Sequence, residues 1–117
     1  TNAELLDDHS LVARILAGET SLYETIMRRY NQRLFRIARS ILFDDALAED
    51  AVQEAYVAAY YALERYQPNG SFAAWLTRIA INEARMSKRK RTRRTETPLT
   101  ELESSLPEDI SQAYQSG

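Results

Sequence analysis

Apolar residues recur at intervals of three and four along most of this chain, and no run alternates as a strand would. Residues 1–8 are polar and read as a frayed start. Asp8 or Ser10 can cap a short helix with Leu11, Val12, Ile15 and Leu16 as its apolar side, and Gly18 is placed to stop it. Thr20 or Ser21 then caps a longer helix. Its stripe is Leu22, Ile26, Tyr30, Leu34, Ile37 and Ile41, with Arg28, Arg29, Arg33, Arg36 and Arg39 over the rest of its surface. Phe43-Asp44-Asp45 reads as a break with its own cap. A third helix is expected over Ala46 to Tyr66, with Val52, Ala55, Ala59, Ala62, Leu63 and Tyr66 on its buried side; Pro68 and Gly70 end it. Ser71 caps a fourth, whose core face is Phe72, Leu76, Ile79, Ala80 and Met86. From Thr95 onward prolines and serines predict a linker or tail, in which Leu99, Leu102 and Leu106 can form one weak helical turn. The pattern predicts an all-α fold: a compact bundle of about four helices over residues 1–94 and a flexible acidic C-terminal tail over 95–117.

Composition adds limits. A chain of 117 residues with 44% hydrophobic content suits one domain with a modest core. There is no cysteine, which excludes disulfides and thiolate metal sites and fits a reducing compartment. No apolar run approaches the roughly 20 residues that span a bilayer, and no signal peptide is visible, so a soluble cytoplasmic protein with no membrane partner is expected. Thr1 in place of Met suggests an excised or processed start. The net charge of −2 argues against nucleic-acid binding only as an average. Every charged residue after Thr95 is acidic, whereas the basic residues all lie at or before Arg94 and many of them crowd into 85–94. A polyanion responds to the local patch, not to the mean.

Catalytic chemistry finds little support. The single histidine, His9, lies near the expected frayed end and reads as a solvated polar residue. No His, Asp and Glu cluster has metal-ligand spacing, and Pro68-Asn69-Gly70-Ser71 is no phosphate-binding loop, so neither metal nor cofactor is expected. Two faces carry more information. Asp50, Gln53 and Glu54 stand at i, i+3 and i+4, with Val57 following on the same side. Spacing alone favours an ordinary solvated face. The other reading is an acidic and amide surface that pairs with basic residues of a partner helix. On the fourth helix Trp75, Arg78, Asn82, Arg85 and Arg89 form a stripe beside the apolar face, and Lys88 and Arg91 continue it as a basic run. Arginine suits phosphate, asparagine can read a base edge, and an aromatic ring can stack on an unpaired base. Trp75 is equally compatible with a place in the core.

The segment from Ala48 to Tyr60, with Ala48-Glu49-Asp50-Ala51-Val52-Gln53-Glu54-Ala55-Tyr56 at its head, resembles the region 2 signature of bacterial sigma-70-family factors. Phe72-Ala73-Ala74-Trp75-Leu76-Thr77-Arg78-Ile79-Ala80-Ile81-Asn82-Glu83-Ala84 is similar to the segment that follows it there, and the short loop between looks like the extracytoplasmic-function branch. The resemblance covers about Asp8 to Arg94. It implies that Asp50, Gln53 and Glu54 dock on the clamp helices of the RNA polymerase beta-prime subunit. It implies too that the loop at Asn69, Gly70 and Ser71 receives a flipped base of the minus-ten element's non-template strand. Asn82 would contact promoter bases, and Arg78, Arg85, Lys88 and Arg89 would hold phosphates. Such a factor breaks no bond in DNA and is not an enzyme; an anti-sigma factor is a further possible partner. A full factor also carries a second helical domain for the minus-thirty-five element, and this chain ends in what looks like the connecting linker. Two rivals stand beside this reading. A sigma-like mimic that binds an anti-sigma factor without DNA function has little use for the basic run. A duplex-binding helical regulator would need a recognition helix after a tight turn.

Overall fold

A computed structural model describes residues 2–96. Four α-helices follow one another: α1 (Asp8–Leu16), α2 (Tyr23–Leu42), α3 (Asp45–Ala62) and α4 (Phe72–Glu96), with no strand among the described residues. The all-α bundle expected from the sequence is the observed fold. Residues 97–117, including the expected turn at Leu99, Leu102 and Leu106, lie outside the described residues. The last helix runs through Glu96.

The start of the chain is more ordered than its polarity suggests. Asn2 caps a 3₁₀ turn over Ala3–Leu5, and Asp7 Oδ1 accepts from the Ser10 amide at 2.7 Å. Asp7 is therefore the cap of α1, in place of Asp8 or Ser10. Asp8 is released for tertiary work: its carboxylate pairs with Arg29 Nη1 at 2.9 Å and accepts from the Tyr30 hydroxyl. Burial, followed by that hydrogen bond, pushes the Tyr30 phenol up to about 12, so it remains a donor to Asp8. Leu16 points outward with 52% of its surface exposed. Leu11, Val12 and Ile15 fill the available face of a helix only nine residues long. Gly18, at φ +117°, turns the chain where an L side chain would be strained. A 3₁₀ turn over Thr20–Leu22 then leads directly into α2, without the side-chain cap expected from Thr20 or Ser21.

Phe43 closes α2 in the left-handed region at φ 57°, and Asp44 Oδ1 caps α3 through the Leu47 amide at 2.9 Å. The third helix ends at Ala62, earlier than expected, and tightens into a 3₁₀ turn over Leu63–Arg65. Pro68 disfavours helical backbone in the residue before it, and the chain is already extended at Tyr66. Ser71 caps α4 as expected, accepting from the Ala74 amide at 3.1 Å.

The core lies where α2, α3 and α4 meet. Ile26, Tyr30, Leu34 and Ala38 of α2 face Ala48, Ala51, Val52, Ala55 and Ala59 of α3 and Phe72, Leu76, Ala80 and Ala84 of α4, all buried. The α4 face advances in steps of four, so Ala84 takes the inward place expected for Met86, which is half-buried. Small residues on α3 let the other helices approach closely. Tyr30 meets Phe72 while Phe43 lies under Lys88, so α2 and α4 run in the same direction. Tyr23 at the start of α2 meets Tyr56 and Tyr60 late in α3, so α3 runs opposite. The short α1 lies across the entry end of this trio, against α2 and the turn after α3.

Candidate nucleic-acid interface and partner face

On α3, Asp50, Gln53, Glu54 and Val57 are all exposed, on the side away from Ala51, Val52 and Ala55. Val57 exposes 54% of its surface. Gln53 and Val57 also line an open groove of about 410 Å³ with Tyr23, Met27, Tyr56, Tyr60 and Tyr61. Sequence reasoning placed the acidic and amide row but missed the tyrosines, which reach the groove from two helices. It missed Glu83 too. This residue is half-buried on the inward side of α4, and burial, followed by the charge of Glu54, raises its pKa above the ordinary carboxylate value. The face beside Glu54 is thus negative from two helices.

The second surface begins after Tyr66. The loop turns at residues 67–70, closed by the Gly70 amide on the Gln67 carbonyl at 3.2 Å. Tyr66 is buried, yet its hydroxyl reaches back to donate to the Gly70 carbonyl at 2.9 Å. Its ring stands edge-on to Phe72 (centroids 5.3 Å apart) and tilted against Trp75 (5.2 Å). Trp75 therefore belongs both to the core margin and to the wall beside the loop: it is half-buried and packs on Tyr66 and Phe72. Asn69, Gly70 and Ser71 are exposed. Ser71 Oγ already accepts from the Ala74 amide, which leaves its hydroxyl proton to offer. Gly70 needs no special backbone freedom, since a Cβ there would meet only the Gln67 carbonyl oxygen, at 3.9 Å. His9 is exposed, and it is not a loose terminal residue: its Nε2 lies 3.1 Å from the Tyr66 hydroxyl. Neither Tyr66 nor His9 could be assigned to this site from spacing, because the contact joins positions 57 residues apart.

Helix α4 carries the site onward without a break. At about 100° per residue, Trp75, Arg78, Asn82, Arg85 and Arg89 fall within one sector of the helix. The four polar members are exposed. Lys88 and Arg91 do not join that sector. Lys88 stands about 120° round the helix from Asn82, with its ammonium 5.8 Å from the centre of the Phe43 ring. Arg91 is exposed on the side about opposite Asn82. The basic run thus wraps the helix, whereas the stripe holds one direction. Among the described residues no group of three His, Cys, Asp or Glu could hold a metal ion, and no helix is long and apolar enough to cross a membrane.

The family model for sigma-70 region 2 matches residues 26–94. The RNA polymerase sigma-H factor of Pseudomonas aeruginosa is 32% identical over 78 residues, covering 67% of this chain and 40% of that protein. The sigma factor CnrH of Cupriavidus metallidurans is 33% identical over 78 residues, 67% of this chain and 41% of the relative. The ECF sigma-E factor of Escherichia coli is 33% identical over 84 residues, 71% and 43%. The chain thus spans about two fifths of the length of these curated relatives. Among solved structures, an engineered region 2 of sigmaE in complex with GTAAAA superposes with a TM-score of 0.73 at 32% identity, covering 79% of this chain and 96% of that one. The match runs through the acidic row of α3, the loop and the stripe of α4, and on it the chain belongs to the sigma-70 family, in the extracytoplasmic-function branch, as a region 2 domain.

Proposed function

We propose that this domain docks on core RNA polymerase through α3 and reads the non-template strand of a minus-ten promoter element through the loop at 67–71 and the stripe of α4. The observation that carries the reading is the continuity of α4, which is one helix from Phe72 to Glu96. It holds Trp75 beside the loop and Arg78, Asn82, Arg85 and Arg89 in a single sector, so that a strand leaving the loop meets a base reader flanked by phosphate partners. The relative solved with GTAAAA supports the same ligand class for this chain. Bases at Asn82 and in the loop are read on single strands. An extruded base costs a few kcal/mol, which pocket contacts and polymerase binding must offset. Lys88 and Arg91, on other sides of α4, contribute to the general positive field. Nothing in this role calls for a nucleophile or a general base, and it places the protein in the cytoplasm with the polymerase.

On α3, Asp50, Gln53 and Glu54 meet basic residues of a helical partner, the beta-prime clamp helices, and Val57 with the tyrosine groove takes its apolar side chains. The test is capture of core polymerase by the purified chain. The Asp50→Arg/Glu54→Arg variant should lose capture, while its melting midpoint barely moves, because exposed substitutions shift stability by no more than about 0.5 kcal/mol. Unchanged capture by the folded variant would sink the assignment.

A further inference from the structure

The loop that would take the extruded base has no hydrophobic anchor of its own, since Gln67, Pro68, Asn69, Gly70 and Ser71 are all exposed. Its conformation is held by polar contacts, and the innermost comes from outside it. The Tyr66 hydroxyl has one proton, which it donates to the Gly70 carbonyl at 2.9 Å. Its contact with His9 Nε2 at 3.1 Å must then be a bond donated by the imidazole. The His9 ring also stands edge-on to Tyr66, centroids 5.6 Å apart. His9 lies on α1, before the residues that the family model matches.

We propose that His9 and Tyr66 are positioning residues for the base-reading loop: α1 aims the Tyr66 hydroxyl at the Gly70 carbonyl and so sets where Asn69 presents its amide. Gly70 is then held at two backbone atoms, its carbonyl by Tyr66 and its amide by Gln67. Asn69 lies within the turn that these two bonds close, exposed and without a hydrogen-bond partner among the described residues, its donor and acceptor both available to a base. The imidazole that makes this bond carries its proton on Nε2. Burial and the nearby Asp8 carboxylate raise the Tyr66 pKa, which keeps the phenol protonated and donating.

This role rests on the nucleic-acid reading above, and the experiment separates the two. The chain is titrated with a set of six-base single strands varied one position at a time, starting from GTAAAA, and the discrimination at each base is read as a ratio of Kd values. Wild type should discriminate, and Asn69→Ala should erase the preference at one base. His9→Ala and Tyr66→Phe should each lower discrimination at that same base by about fivefold, the scale of one net hydrogen bond, and leave affinity for a scrambled strand unchanged. His9→Gln sets an amide N–H the same number of bonds from the backbone and should restore discrimination to within about twofold. Since His9 is exposed, its variants fold even where Tyr66→Phe does not. A wild type with no base preference, or an Asn69→Ala variant that keeps every preference, overturns the nucleic-acid reading of the loop and the positioning role with it. Discrimination lost in Asn69→Ala but kept in His9→Ala overturns the positioning role alone. Equal losses on all strands would reduce His9 and Tyr66 to general supports of the fold and also overturn it.

Discussion

Tyr23 and Tyr56 brace α2 against α3 in both directions: the Tyr23 hydroxyl donates to the Tyr56 carbonyl at 2.5 Å, and the Tyr56 hydroxyl donates to the Met27 carbonyl at 3.1 Å. The rings meet edge to face, and both hydroxyls are removed far enough from water that burial raises their pKa values. Each accepting carbonyl lies inside a helix and retains a helical partner, so removing a hydroxyl orphans nothing. Tyr23→Phe and Tyr56→Phe should therefore each cost only about 0.5–1.5 kcal/mol. Tyr56→Ala should cost about 3–5 kcal/mol, because the ring also fills the groove floor. Denaturant unfolding of the three variants checks the ranking; a phenylalanine variant as damaging as the alanine one would mean that the carbonyls depend on the hydroxyls.

The stripe on α4 predicts two kinds of loss. Asn82→Ala should cost about 1–3 kcal/mol on the preferred strand and much less on a scrambled one, because an amide discriminates bases where a cation does not. Arg85→Ala and Arg89→Ala should weaken every strand alike and flatten the salt dependence by roughly 0.7 in log-log slope for each phosphate partner removed. Lys88→Ala and Arg91→Ala, outside the sector, should change the slope less than Arg89→Ala does. Titrations at three salt concentrations decide this, and a larger effect from Lys88 would place the strand on the flank beside Phe43.

Glu83 predicts a pH effect with a definite sign. Its carboxyl is raised above the ordinary 4.5 by burial first and by Glu54 second, with Lys90 opposing. A carboxyl raised on folding binds its proton more tightly in the native state, so the benefit is complete below the unfolded value and is lost as pH rises through the folded one. At neutral pH the charged Glu83 thus opposes folding. Glu83→Gln should raise the melting temperature at pH 7 and lose that advantage below about pH 4.5. Thermal melts at the two pH values check it. An advantage equal at both would assign the gain to packing.

Much of the bundle was legible in the residue pattern because helical periodicity is local. The Ile26, Tyr30 and Leu34 part of the stripe on α2, the Ser71 cap and the break at Asp44 all rest on neighbours within a turn or two; beyond Leu34 the inward place expected for Ile37 falls to Ala38. Where the reading slipped, two local options were close in energy and a distant contact chose between them. Asp7 and Asp8 are both competent caps; Arg29 and Tyr30 claim Asp8, and Asp7 takes the cap. Met86 and Ala84 both border the apolar face of α4, and the close approach of the helices favours the smaller residue.

The sequence by itself determined the helices, their order, the segregation of charge and two rows of side chains, Asp50-Gln53-Glu54-Val57 and Trp75-Arg78-Asn82-Arg85-Arg89. Each row follows from the 3.6-residue turn, which needs no partner to define it. Only the tertiary structure decided what stands behind those rows. It joined His9 to Tyr66 and Tyr66 to the loop, gathered tyrosines from α2 and α3 into one groove, set Glu83 beside Glu54, and took Lys88 to Phe43. These pairings join residues far apart in the chain. They depend on crossing geometry and on which bulky side chains fill the space between helices, and a helical repeat carries no record of either.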